Sequence, residues 1–210
     1  MQRLANRVLA VGHAREDAGY EHCASICSEH EPKTITTTRI GRCDVSKQTS
    51  GAGRVEPKPS RPYVPGYGIP KSVKGTLPWS HVEERMPKSR NYWVATTQPD
   101  GWPHAVPVCG VWLDGTLYFG GGPDTRWSRN LAANPQVAVH LESGDDVVVL
   151  EGVVERITDP HHPVAARVDD AYEAKYRMRH GTPFWVLRPR VVFAWNNFPK
   201  NATRWVFDEG

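Results

Sequence analysis

Residues 91–119 read NYWVATTQPDGWPHAVPVCGVWLDGTLYF, and this stretch decides the fold. Asn91 to Gln98 is rich in β-branched and aromatic side chains, which suit a pleated, half-buried strand. Pro99-Asp100-Gly101 follows, with proline, aspartate and glycine where a tight turn takes them. Trp102 to Trp112 reads as a second strand. Leu113-Asp114-Gly115 closes it, the Asp-Gly step suiting a two-residue hairpin, and Thr116 to Gly120 returns. The expectation is three consecutive antiparallel strands joined by hairpins.

Downstream, Gly120-Gly121-Gly122-Pro123 breaks the sheet. Asp124 or Thr125 is placed to cap a helix from Arg126 to Ala133, which Asn134-Pro135 ends. Val137 to Leu141 and Val147 to Ile157 read as two more strands. The first alternates, and the second is nearly continuous in β-branched residues, as for a strand buried on both faces. Asp159-Pro160 opens a helical stretch to about Arg179, with Gly181 as terminator. Phe184 to Trp195 and Thr203 to Phe207 supply the closing strands. Upstream, Ser80 is placed to cap a short helix from His81 to Met86, stopped by Pro87. Six or more short antiparallel strands with few helices predict a mainly β protein, a barrel with peripheral helices.

Composition divides the chain. All eight Trp lie at or after Trp79, whereas the first sixty residues hold one aromatic, Tyr20. Aromatics bury the most apolar surface per residue, so such a segment has little to offset its ordering entropy. Residues 1–54 are therefore expected to be a disordered leader; their composition also fits a translation start assigned too far upstream. Residues 55–78 carry Pro57, Pro59, Pro62, Pro65, Pro70 and Pro78, a density that favours extended chain. They are expected to form a basic arm, with order beginning at Trp79 and residues 79–210 forming the barrel.

A formal net charge of +3 is far from the dense Lys/Arg stripe that nucleic-acid binding requires. No window is apolar enough for a membrane span, and the first thirty residues lack a secretory apolar run. The expected location is cytoplasmic. Cys23, Cys27, His30 and Cys43 match no strong zinc-ligand spacing, so no metal is expected. Nothing in the order of Ser, His and Asp or in paired carboxylates supports a hydrolase.

Two segments bear on binding chemistry. Between Gly120 and Arg129, three glycines precede a helix whose first turn carries Arg126, with Arg129 one turn on. Free amides and the positive end of a helix dipole accept phosphate, and arginine adds bidentate donors. The bland reading is a glycine-rich loop with two solvated arginines. Pro103 and Pro107 lie four apart, so their missing N–H groups fall on one edge of the strand. Either the chain leaves its ladder there and frees backbone groups at Ala105 and Val108 for a planar ring, or this is an ordinary edge strand protected by proline.

The run from Asn91 to His104, then Pro107-Val108 and Gly110 to Phe119, resembles the opening of the pyridoxamine 5'-phosphate oxidase-like split barrels. Within that superfamily it is most similar to the flavin/deazaflavin oxidoreductases, which use FMN or the deazaflavin coenzyme F420. Thr125 to Pro135 resembles the family's phosphate-binding turn and helix, and Ala202 to Phe207 the segment that crosses to the neighbouring subunit's cofactor. The resemblance spans Trp79 to Phe207. It implies an FMN-binding split barrel, a homodimer with the cofactor between subunits, and hydride transfer to a small organic substrate. By that resemblance Thr125 and Arg126 take the phosphate, aided by Gly121, Arg129 and Asn130. The backbone of Ala105, Pro107 and Val108 lies along the ring, and Trp195 and Arg204 form the far wall. The chain departs from the pattern at Trp127, where many relatives have a second basic residue.

The cofactor carries the redox chemistry, so no side-chain nucleophile or general base is expected. F420 is favoured over FMN because Tyr92 to Phe119 is closer to that branch. Its acidic tail also needs cations, for which Arg54, Lys58, Arg61, Lys71 and Lys74 are candidates. The alternatives are an FMN-dependent pyridoxamine-phosphate-oxidase-like enzyme and a non-catalytic barrel binding flavin, haem or another tetrapyrrole.

Overall fold

A computed structural model describes residues 57–207, so what is expected of the leader, of its cysteines and of Arg54 lies outside the described residues. The elements are α1 (Ser80–Lys88), β1 (Asn91–Thr97), β2 (Pro103–Leu113), β3 (Thr116–Phe119), α2 (Arg126–Ala133), β4 (Gln136–His140), β5 (Val147–Ile157), α3 (Ala165–Tyr176), β6 (Phe184–Trp195) and β7 (Thr203–Val206). Asp114 and Gly115 both have positive φ, 49° and 72°, the two-residue turn that matches strand twist. Leu113 pairs with Thr116 across it.

All pairings are antiparallel, in the order β3-β2-β1-β4-β5-β6-β7. A further pairing of β3 with β6, Leu117 opposite Leu187 and Phe119 opposite Trp185, closes β1 to β6 into a six-stranded barrel. β6 is long enough to serve two partners on one edge, β3 through Trp185–Leu187 and β7 through Val191–Ala194. Its register on β5 shifts between Glu151 and Gly152. A Cβ on Gly152 would lie 2.9 Å from Leu187 Cδ1 and 3.0 Å from the Arg188 carbonyl, so the bulge requires glycine. The barrel is filled by Tyr92, Val94, Leu117, Phe119, Leu150 and Trp205. A second cluster lies outside it, where Val168 and Tyr172 of α3 cover Val111, Tyr118 and Val186.

Several expectations are corrected. Ser80 does not cap α1: Trp79 occupies the cap position without a side-chain cap bond, and its indole N–H closes the turn on Glu83 at 3.0 Å. The helix runs through Pro87 to Lys88, because a proline in the last turn removes only the bond back to Glu83, an exposed residue. α3 starts at Ala165, later than Asp159, since Asp159 instead accepts the His161 amide in a turn. It ends with Arg177 in the left-handed region, not at Gly181. β5 is not buried on both faces: Glu151 and Val153 lie on an open outer face.

Order also begins well before Trp79. Ser60 bridges Arg204 of β7 through reciprocal backbone bonds of 2.8 Å. The Arg61 guanidinium donates to four backbone carbonyls, those of Ser72 (2.9 Å), Lys74 (2.7 Å), Lys200 (2.9 Å) and Ala202 (3.0 Å). The proline-rich arm is thus pinned to the barrel by one side chain that ties it both to itself and to the β6–β7 connection.

Candidate functional site

β2 pairs with β1 from Pro103 to Cys109 and with β3 only from Gly110 onward, so no strand covers its other edge over residues 103–109, and at the end of that stretch the Cys109 carbonyl accepts the Tyr172 hydroxyl at 3.0 Å. The ladder with β1 is continuous through both prolines, with Thr97 opposite Pro103 and Trp93 opposite Pro107. The chain does not leave it. Proline has no N–H to give, so residues 103, 105 and 107 must turn their backbone groups to the open edge and residues 104, 106 and 108 to β1. Ala105 and Pro107 are exposed there, and the Ala105 amide is the one donor between the two prolines. Val108 is corrected: by the same alternation its backbone serves the β1 ladder, and its side chain is in the core.

Chain leaving β3 runs from Gly120 to Thr125 into α2. Thr125 holds the cap position, but its hydroxyl donates back to the Gly122 carbonyl at 2.8 Å instead of capping the helix. The first intrahelical bond is from the Arg129 amide to Thr125, at 3.0 Å. Arg126 is exposed. Arg129 turns back to the Asp124 carbonyl at 2.7 Å and so braces the loop. Asn130, one turn after Arg126, is only 3 % exposed. Its amide donates to Thr96 Oγ1 at 3.0 Å, and Thr96 donates to the His104 carbonyl at 3.3 Å. Asn130 is therefore a support that holds α2 across β1 and β2, and it is closed to a ligand. This chain of bonds sets Arg126 near His104. Burial first, and the Arg126 charge second, hold the His104 imidazole below its ordinary pKa, which favours the neutral ring.

Trp127 turns away from the loop surface into the core, against Phe119 at 5.9 Å between ring centroids. The departure from the family pattern thus replaces a basic residue with a packing one. A Cβ on Gly121 would lie 2.8 Å from the Trp127 ring, so Gly121 is there for want of space. Gly120 is tighter still, because a Cβ would sit 2.2 Å from Cε1 of His180. That imidazole packs against Tyr172 at 4.9 Å and holds the loop from the α3 side.

Trp195 and Arg204 lie elsewhere. With Phe193, Phe198, Tyr63 and Tyr67 they line a groove of about 610 Å³ between the arm and the outer face of β5, β6 and β7. Trp195 is half-buried and outside the barrel core. A second hollow, about 560 Å³, runs over β1, β4 and β5 from Pro103 to Glu151, and Glu151 also lines the first groove. One chain therefore sets Arg126 near His104, on the strand that carries Ala105 and Pro107, while Trp195 and Arg204 line a separate groove.

The sequence profile described as Pyridoxamine 5'-phosphate oxidase matches residues 79–196, more than half of the chain. The chain belongs to the pyridoxamine 5'-phosphate oxidase family. It is a split barrel of the pyridoxamine 5'-phosphate oxidase-like, FMN-binding superfamily, as the run from Asn91 to Phe119 led us to expect. Among solved structures, an F420 reductase is similar at 25% identity and a TM-score of 0.41, over 52% of this chain and 94% of that one. A conserved hypothetical protein from Mycobacterium tuberculosis is similar at 22% identity and a TM-score of 0.50, over 59% and 88%. A heme-binding protein from Mycobacterium smegmatis is similar at 26% and 0.48, over 61% and 58%. No curated protein matches.

Against that family background, the sequence missed His104, His180 and Thr96, and it offered Arg61 as a cation for the cofactor's tail where the structure uses it to pin the arm. For His104 a signal was present, since strand alternation puts it one residue from Ala105 on the facing side. For His180 none was, because its contact with Gly120 joins residues sixty apart. Among the described residues no helix is long and apolar enough to cross a membrane, and no cluster of His, Cys, Asp or Glu suits a metal ion.

Proposed function

We propose that this protein is an F420-dependent oxidoreductase whose cofactor lies between two copies of the chain. The observation that carries the reading is the separation of two half-sites. The open β2 edge with Arg126 would meet the aromatic groove with Arg204 of a second copy. The open sheet face between them, with Trp93, Ala95, Ala138 and Val153 turned outward, supports such a pairing.

The residues present fit a flavin-type group. The Ala105 amide, flanked by prolines, cannot join a regular ladder with another strand and is left for a ring's polar edge. Arg126 and the amides at the start of α2 suit a phosphate. Lys58, Lys71 and Lys74 are exposed on the pinned arm and suit the acidic tail of F420, which FMN lacks. Arg61 is withdrawn from that set, because its donors are used on carbonyls. When bound, the cofactor supplies the hydride. The chain contributes binding and orientation, and His104 stands beside Arg126 as the neutral imidazole available to a ligand there.

Titration of the purified full chain with F420 and with FMN, followed by fluorescence, tests the reading. The expected result is tighter binding of F420, weakened by Lys58→Ala, Lys71→Ala and Lys74→Ala together. Preference for FMN would overturn the deazaflavin assignment. Binding of haem with neither flavin would place the protein among non-catalytic tetrapyrrole binders.

A further inference from the structure

The arm groove contains more aromatic surface than its architecture needs. Tyr63 is 87% exposed and Tyr67 61%, on a segment that is otherwise pinned at its base by Ser60 and Arg61. Gly66 and Gly68 adopt positive φ, 83° and 69°, which turns the arm tip so that both tyrosines flank the groove. Below them, Tyr67 meets Phe198 edge-on at 5.7 Å, and Phe198 meets Trp195 at 5.6 Å. These rings make a slot with aromatic walls, a shape that favours a flat ring between them.

One cation stands in this slot. The Arg204 Nε donates to Ser60 Oγ at 3.3 Å, and no carboxylate among the described residues lies within ion-pair distance of its guanidinium. Its two terminal nitrogens, in a planar fork, match a carboxylate with two parallel bonds. Glu151 lines the same groove and makes no ion pair of its own among the described residues, so a second negative charge on the ligand would be repelled.

We propose that this groove is the substrate site and takes an aromatic monocarboxylate, its ring between the arm tyrosines and Trp195 and its carboxylate on Arg204. That a molecule held here stands beside the cofactor of a second copy rests on the functional reading above; its binding in the groove does not.

The test uses the full chain and 2-naphthoate, followed by isothermal titration calorimetry, with 2-naphthamide as the neutral analogue and 2,6-naphthalenedicarboxylate as the dianion. The naphthoate is expected to bind best. Arg204→Met should weaken it about ten-fold or more, the loss of a charge-assisted contact, with Arg204→Lys recovering part of the affinity. Tyr63→Ala/Tyr67→Ala should weaken it without unfolding the barrel, since both side chains are outside the core. Glu151→Gln should selectively improve binding of the dianion. Failure of naphthoate to bind, or equal affinity for acid and amide in the native chain, would overturn the proposal. So would a shift from dimer to monomer in Tyr63→Ala/Tyr67→Ala by sedimentation, which would make the arm tip a contact between copies. Parallel F420 and FMN titrations separate the two ideas: naphthoate binding without cofactor binding leaves the groove assignment standing and removes the oxidoreductase, and the converse does the reverse.

Discussion

Arg61 offers a direct way to separate structure from binding on the arm. Its side chain donates four bonds, three at exposed positions (Ser72, Lys74, Lys200) and one, to Ala202, at a half-buried one. In Arg61→Ala, water replaces the exposed donors at little net cost, a few tenths of a kcal/mol each by analogy with exposed ion pairs. The half-buried Ala202 carbonyl loses a charge-assisted bond worth about 1.5 to 3 kcal/mol. The sum, about 2 to 4 kcal/mol, falls on docking of the arm, because none of the four acceptors belongs to a barrel strand. A population shift of roughly 30- to 900-fold toward the undocked arm follows. Hydrogen exchange by mass spectrometry reads it through the amides that close the dock, Ser60 to Arg204 and Leu77 to Thr203 Oγ1. Exchange there should accelerate by about that factor, while β3 and the facing part of β6 remain protected. Lysine in its place should not restore protection, since one ammonium cannot reach carbonyls in four directions. Unchanged exchange at Ser60 and Leu77, together with weaker F420 binding, would refute the reasoning and return Arg61 to the cofactor's tail.

The remaining predictions are shorter. Arg126→Ala should weaken cofactor binding about ten-fold to a hundred-fold in a fluorescence titration, with thermal stability changed by less than about 0.5 kcal/mol because the residue is exposed. Gly120→Ala should destabilise the protein by about 1 to 3 kcal/mol through the collision with His180, and His180→Ala in the same chain should recover part of that loss in a double-mutant cycle. Lys175 donates to the Gly110 carbonyl at 2.8 Å and to Tyr92 Oη at 3.1 Å, and burial lowers its pKa from 10.5 to about 8. The unfolded chain then binds more protons than the folded one above pH 8, so stability gains from this group as pH rises from about 8 to 10. Denaturant unfolding of the native chain and of Lys175→Met over that range should show the steeper rise in the native chain. Deleting residues 1–53 should leave melting temperature and cofactor affinity within error, whereas deletion through Lys74 removes Ser60 and Arg61 and should lower both.

By itself the sequence determined the elements whose cause is local. The Asp114-Gly115 turn, α2 from Arg126 to Ala133, β5 from Val147 to Ile157 and β6 from Phe184 to Trp195 all stand where composition and turn chemistry put them. Their φ/ψ preferences and side-chain periods are carried by the residues themselves and their neighbours. The prolines of β2 likewise announced an edge, because a missing N–H is a property of the residue. What the sequence left open depends on partners distant along the chain. Closure of the barrel through β3 and β6, and the extra strand β7 on the same edge, rest on backbone groups that are alike in every residue. The docked arm rests on Arg61 finding four carbonyls, which no side chain advertises. Trp127 looked like a lost phosphate ligand because its position in the motif was visible and its direction was not; only packing against Phe119 turned it inward. Tertiary structure alone also decided that Arg126 and Arg204 stand apart in one chain, since the distance between two side chains is set by the sheet that joins them and by nothing near either in sequence.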